Sequence, residues 1–222
     1  MKFIRTDEAI DYDQALARMN QIVDEIILGN CEDTVWFLEH LPTYTVGYTT
    51  YEDFLLKYGS TINGIPVIKS ERGGKITFHG PGQRICYLMI NVKHLYDKID
   101  LYRFLNTIYN VIIKSLKKFD INGVQDVKYP GVWVEKNKIA AIGMRIRKGV
   151  SHHGIAININ NDLTPFKLIQ PCGISDPDRG IISMQKILNK VVQINAFDDI
   201  LQYELKKLFS TGISIPQSKK NE

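Results

Sequence analysis

The sequence predicts an α+β fold in which sheets are covered by helices. Three observations carry this prediction. Apolar runs rich in β-branched and aromatic residues follow one another without an intervening helix, which disfavours a doubly wound parallel sheet. Helical stripes with a 3.6-residue period stand near the beginning, in the middle and near the end of the chain. The 222 residues are 44% apolar and 10% aromatic, enough for one sizeable core, so residues 1–210 are read as a single domain. Residues 211–222 are read as a polar, flexible tail.

The elements follow in order. Ala15, Leu16, Met19, Ile22, Val23 and Ile26 fall on one helical face, and Gly29-Asn30 supplies the stop. Thr34-Val35-Trp36-Phe37-Leu38 reads as a strand. Residues 47–57 read as a loop followed by a short helix. Ile65-Pro66-Val67-Ile68 is a short strand, with Pro66 marking a sheet edge or a strand start. Arg84 to Val92 is a near-continuous apolar run and reads as a buried strand. Asp100 caps a long helix striped by Leu105, Ile108, Ile112, Leu116 and Phe119, whose late Lys114, Lys117 and Lys118 suit the negative end of the dipole. Val132 to Glu135 and Lys138 to Ile146 form a hairpin around Lys136-Asn137, and Gly154 to Ile159 is a further strand. Leu201, Leu205 and Leu208 line a last helix.

Composition narrows the function classes. Lys plus Arg is 28 and Asp plus Glu is 24, a net charge of +4. That is too weak to argue for nucleic-acid binding, although it would help to steer an acidic partner. The three cysteines, Cys31, Cys86 and Cys172, are odd in number and include no C-x-x-C pair. A disulfide framework and a cysteine-based zinc site are both disfavoured, and a reducing compartment is expected. The N-terminus has no apolar signal core, and nothing approaches the ~20 apolar residues of a membrane span. A cytoplasmic protein without membrane contact is expected.

Three segments carry chemistry. Arg72-Gly73-Gly74-Lys75-Ile76-Thr77-Phe78-His79-Gly80-Pro81-Gly82-Gln83 places four glycines and a proline in twelve residues, directly before a buried strand. Glycine lets backbone N–H groups approach a ligand closely, but a plain tight turn reads equally well. The segment matches neither a P-loop nor G-x-G-x-x-G followed by a helix. In Lys138-Ile139-Ala140-Ala141-Ile142-Gly143 a lysine opens an apolar strand. Its ammonium is either partly desolvated, with a lowered pKa, or snorkels to water. In Gln170-Pro171-Cys172-Gly173-Ile174 a cysteine sits between proline and glycine, hence in a turn. It is either a nucleophile, if a base accompanies it, or a small apolar filler. Cys86, inside an apolar strand, reads as inert. His152 and His153 carry no carboxylate cluster, and neighbours on a strand point to opposite faces, so no metal site is expected there.

At these residues the chain resembles the bacterial lipoyl(octanoyl) transferases. Arg72 to Gln83 match the pattern R-G-G-x-x-T-[YF]-H-G-P-G-Q, with Phe78 where tyrosine is frequent. Lys138 to Gly143 match K-I-x-x-[IL]-G, His153 to Asn158 match H-G-[IL]-A-[IL]-N, and Pro171 to Ile174 match P-C-G-[IL]. Four ordered motifs cover most of the chain.

The resemblance implies a biotin/lipoate protein ligase-like fold, a mixed β-sheet flanked by helices. It implies a single catalytic domain over 1–210, an octanoyl-acyl carrier protein as donor, and transfer through a thioester on Cys172. The acceptor would be a lysine ε-amine on lipoyl domains of 2-oxoacid dehydrogenase E2 subunits or on the glycine-cleavage H protein. Lys138 would activate the thiol and later the attacking amine. Arg72 to His79, with Ala141, Ile142, Gly143, Gly154, Ile155 and Ala156, would line the acyl slot, and His79 would orient it. No ATP, cofactor or metal is implied, since the incoming thioester is already activated, and a monomer is expected. Arg145, Arg147 and Lys148 would form a positive surface for the acidic carrier. The rival readings are an ATP-dependent ligase on the same fold, a non-catalytic lipid- or carrier-binding protein, and a papain-like hydrolase. The last lacks its usual early-cysteine, late-histidine order.

Overall fold

The computed structural model describes residues 1–47, 50, 55, 59–96 and 99–210, the last three of these by backbone only. The expected loop and short helix of 47–57 fall mostly outside the described residues, as does the tail beyond 210.

The chain runs β1 (Lys2–Ile10), α1 (Tyr12–Leu28), β2 (Thr34–His40), β3 (Thr43–Gly47), β4 (Thr61–Ile62), β5 (Ile65–Ser70), β6 (Thr77–His79) and β7 (Gln83–Met89). It continues with α2 (Leu101–Lys117), β8 (Val124–Gln125), β9 (Val132–Val134), β10 (Asn137–Arg147), β11 (Val150–Asn158), β12 (Gly180–Ile181), α3 (Met184–Leu188) and α4 (Ile194–Ser210). Among the described residues, eight strands form the larger sheet in the order β1-β2-β7-β11-β10-β9-β8, with β12 beside β10. It is mixed: β1 runs parallel to β2 and β12 parallel to β10, while the central pairs are antiparallel. The smaller sheet has the order β4-β5-β3-β6.

The central strands are buried on both faces, which is why β2 and β7 read as unbroken apolar runs rather than as alternation. Val35, Phe37, Cys86 and Leu88 point to one face, where they pack with Phe104, Ile108 and Ile112 of α2 and Phe197, Leu201 and Leu205 of α4. Trp36, Leu38, Ile85, Tyr87 and Met89 point to the other, under Ala15, Met19, Val23 and Ile26 of α1. Helix α1 begins where Asp11 accepts hydrogen bonds from the N–H groups of Asp13 and Gln14. It ends at Gly29, whose φ of 78° and ψ of 12° need no Cβ to be avoided. Asp100 caps α2 by accepting from the Arg103 N–H.

Pro66 stands at a strand start, as the second residue of β5, where it pairs with Thr61 of β4. Two expectations need correction. Strand β11 starts at Val150, so His152 and His153 lie inside it. The two rings do not point apart, because His153 has φ 58°. That left-handed residue breaks the side-chain alternation and leaves the rings with centroids 5.0 Å apart. Among the described residues no group of three or more His, Cys, Asp or Glu is placed to hold a metal ion, and no helix is long and apolar enough to cross a membrane.

Candidate active site

A cleft of about 130 Å³ opens between the two sheets, beside α1. Of the residues expected at the site, Arg72, Gly73, Gly74, Lys75, Thr77, His79, Ala141, Ile142, Gly143, Gly154, Ile155, Ala156 and Cys172 line it. Its floor is the central hairpin, where Ala141 pairs with Ala156 and Gly143 with Gly154. Each of these carries a methyl group or less, and the two glycines let β7 and the glycine-rich segment lie close against the hairpin. Ile142 and Ile155 turn their side chains into the core beneath α2 and α4, offering the slot their backbone. Ile76 and Phe78 are brought to the segment but not into the slot. They pack with Tyr44, Val46, Val67 and Phe166 behind it, because alternate residues of an extended segment face opposite ways.

Cys172 stands at one end. It lies in a 3₁₀ turn, Pro171–Gly173, with φ 54° and ψ 20°. A left-handed non-glycine residue costs about 1–3 kcal/mol and persists only where its surroundings fix it. Here the Cys172 N–H donates to the Ile76 carbonyl at 2.7 Å, and the Ile174 N–H to that of Pro171 at 3.0 Å. The first bond pins the turn to the glycine-rich segment. It also commits the Cys172 amide, which is therefore not free to receive a developing oxyanion.

Lys138 does not snorkel. It is 2% exposed, and its Nζ donates to the Pro130 carbonyl at 2.9 Å and lies 5.2 Å from the centre of the Trp133 ring. Its end shares a small cavity with Cys172, and burial lowers its pKa against the opposing pull of Cys172 and Asp126. A small second cavity, shared by Lys138, Thr77, Ala141, Ala156 and Cys172, joins the pair to the slot. A buried amine thus stands beside a thiol held in a left-handed turn, the arrangement that thiolate chemistry requires.

Arg72 does not face a ligand as a free cation. Its guanidinium donates to the carbonyls of Thr45 at 2.6 Å, Gly73 at 3.0 Å and Lys75 at 2.9 Å, and so folds the glycine-rich segment against β3. His79 bridges Thr45 Oγ1 at 3.2 Å and Gln83 Oε1 at 2.7 Å, tying the small sheet to β7.

The lining also includes groups that the sequence did not place there: Tyr12, His40, Tyr87 and His153. His40 Nε2 meets the Tyr87 hydroxyl at 2.8 Å, and the Tyr12 hydroxyl meets Ser70 Oγ at 2.7 Å. Burial lowers His40 to about 4 and His153 to about 3, and takes His79 well below the usual histidine value. These rings are neutral at pH 7, which leaves Arg72, held by backbone carbonyls, and Lys75 as the cations of the lining. Nothing local marks Tyr12 or His40; they arrive through α1 and β2.

The expected positive surface is largely neutralised. Arg145 faces Glu71 at 3.6 Å and Arg147 faces Asp24 at 2.6 Å.

The fold is that of the lipoate and biotin protein ligases. A putative lipoate protein ligase from T. acidophilum superposes with a TM-score of 0.70 at 16% identity, over 95% of this chain and 86% of that one. An archaeal bipartite lipoate protein ligase, solved in a study with its E2 lipoyl domain, gives 0.66 at 17%, over 100% and 87%. The biotin protein ligase of Aquifex aeolicus gives 0.55 at 11%, over 95% and 70%. Residues 11–206 match the lipoyl protein ligase A/B catalytic domain, and the chain belongs to that family. Relatives named octanoyltransferase include one from Ehrlichia chaffeensis, 40% identical over 90% of this chain and 92% of its own. One from Rickettsia prowazekii is 38% identical over 94% and 99%.

Proposed function

We propose that the chain is an octanoyltransferase of protein lipoylation, residues 1–210 forming its catalytic domain. The observation that carries this reading is the meeting of Cys172 and Lys138 beside a slot floored by Ala141, Gly143, Gly154 and Ala156. The names of the relatives supply the acyl group.

Lys138 takes the proton of the Cys172 thiol. The thiolate attacks the carbonyl carbon of octanoyl-acyl carrier protein, the new C–S bond forms, and the bond to the carrier sulfur breaks. The carrier leaves as a thiol with the proton returned from Lys138. The octanoyl chain lies in the slot as a thioester on Cys172. A lysine ε-amine then attacks that carbonyl, Lys138 accepts the amine proton, and an amide forms as Cys172 leaves and is reprotonated. The acceptors are lipoyl domains of 2-oxoacid dehydrogenase E2 subunits and the glycine-cleavage H protein. No ATP enters, because the donor is already a thioester.

The test is intact mass after mixing the protein with octanoyl-acyl carrier protein without ATP. Wild type should gain one hydroxylamine-labile octanoyl group. Cys172→Ser should gain none, and Lys138→Ala should gain it far more slowly. Continued transfer to a lipoyl domain by the serine variant would overturn the nucleophile, and transfer only with ATP and free octanoate would replace the reading by a ligase.

A further inference from the structure

Lys138 and Cys172 are far apart in sequence, and what holds their two segments together lies outside the slot. Arg179, in the segment that follows Cys172, donates to Asp126 Oδ2 at 2.5 Å, across to the segment that precedes Lys138. Its guanidinium lies 4.7 Å from the centre of the Trp133 ring and 5.4 Å from that of Tyr129. Trp133 is the same ring against which Lys138 Nζ lies at 5.2 Å. The contacts around it close a ring of their own. Asp126 accepts from the Tyr129 N–H at 2.7 Å, the Tyr129 carbonyl accepts from Trp133 Nε1 at 2.9 Å, and the Tyr129 hydroxyl meets Ser175 Oγ at 3.2 Å. Ile174 packs against Tyr129 and Trp133. Ser175 and Ile174 stand three and two residues beyond Cys172.

We propose that Arg179, held by Asp126, is a positioning residue for the Lys138–Cys172 pair: it clamps the two segments together and sets the charge that the pair experiences through Trp133. This rests on the function proposed above.

Whenever Lys138 carries the proton, two cations share one aromatic face system, and a cation–π contact with one does not remove their mutual repulsion. The groups that act on Lys138 are Cys172 from the turn, Asp126 from the segment after β8, and Arg179 from the segment before β12. The remaining neighbours of Lys138 are uncharged: the Pro130 carbonyl and the Trp133 ring, with Thr77, Gln83, Asn158 and Ile181 around the adjoining cavity. On the Cys172 side stand two cations, Arg72, which acts on the thiol, and Lys75, which lies over Gly173, and both are common to wild type and variants. Arg179 opposes protonation of Lys138 and Asp126 favours it. The signs hold whichever partner of the pair carries the proton. Removing a nearby cation raises every neighbouring pKa, and removing a nearby anion lowers it. The clamp is arranged so that neither charge acts alone.

The experiment follows the rate of octanoyl-enzyme formation by intact mass between pH 5.5 and 9.5, on the full chain, with folding checked by circular dichroism. Arg179→Met should displace the pH–rate profile of wild type to higher pH by about half a unit or more, a threefold loss of rate on its rising limb. Asp126→Asn keeps the acceptor for the Tyr129 N–H and should displace the profile to lower pH. Arg179→Lys keeps the charge without the fork, and should leave the profile in place with a lower maximum. Lowered rates with all profiles unmoved would overturn the proposal and leave a purely structural brace. So would a lysine variant displaced as far as the methionine variant. Should Arg179→Met fail to fold, an Asp126→Asn profile that stays put or moves to higher pH overturns it as well. If wild type forms no thioester, the proposed function fails first, and the variants are not what decides it.

Discussion

Gly131 lies directly beneath the side chain of Lys138. A methyl group on it would stand 2.9 Å from Lys138 Cε and 2.7 Å from the carbonyl oxygen of Ala140. The first of these atoms belongs to a side chain and can shift; the second is backbone and can shift only with β10. Gly131→Ala should therefore push Lys138 off its place beside Cys172. A misplacement of about 1 Å at a reacting group costs on the order of 10²-fold in rate. The expected outcome is a roughly 10- to 100-fold slower octanoyl-enzyme formation, read by quenched-flow mass spectrometry, in a protein whose stability also falls, because Gly131 has φ 153° and its methyl group would press on the β10 backbone. An unchanged rate would show that Lys138 need not stand where it does.

The floor of the slot gives a second prediction, from two glycines that face each other across the hairpin. A methyl group on Gly143 would meet Arg72 Cδ and the Gly73 carbonyl, each at 3.2 Å, whereas one on Gly154 would meet the Cys86 carbonyl oxygen at 2.0 Å. The glycine-rich segment at Gly143 can move by a few tenths of an ångström. The β7–β11 ladder at Gly154 cannot, without breaking the central sheet. Gly143→Ala should fold and raise KM for long acyl thioesters more than it lowers kcat, because it shortens the slot. Gly154→Ala should cost about 3 kcal/mol or more in denaturant unfolding, beyond the ordinary range of a single substitution. Similar stabilities for the two variants would contradict this account of the floor.

What was legible in the sequence follows the same physics. Helix α1, strand β7, helix α2 and the β9–β10 hairpin show in the sequence because their periods and turn residues are local. Strand β1 was not legible. Its segment is polar, Lys2 to Ile10 being largely half-buried or exposed, and its pairing with β2 depends on a partner more than twenty residues away. The burial of Lys138 stays open between two readings in the sequence, since the Pro130 carbonyl that receives its end lies in the loop before β9 and carries no recognisable pattern. The closeness of the His152 and His153 rings was missed because only the backbone angle of His153 decides it. Asp126 and Arg179, 53 residues apart, carry no motif at all.

Asp198 supplies the last prediction. It is fully buried in α4, with its carboxylate 3.0 Å from Arg84 Nη2 of β7, itself buried. Burial raises its pKa from 3.8 to about 6, outweighing the pull of Arg84 and Arg5. A carboxyl whose folded pKa lies above its unfolded value contributes stability that is fully present below the unfolded pKa and is lost as pH rises through the folded one. Here the loss falls between about pH 4 and pH 6. Asp198→Asn has no such titration, while the remaining groups are common to both proteins, so the difference between them isolates this one. The Tm of wild type minus that of Asp198→Asn should fall between pH 4 and pH 7. In a chain of this size each kcal/mol moves Tm by about 2–4 °C, so a change of several degrees is expected by scanning calorimetry. A difference that grows with pH would mean that the ion pair with Arg84 overcomes burial, and that Asp198 is held below its unfolded pKa rather than above it.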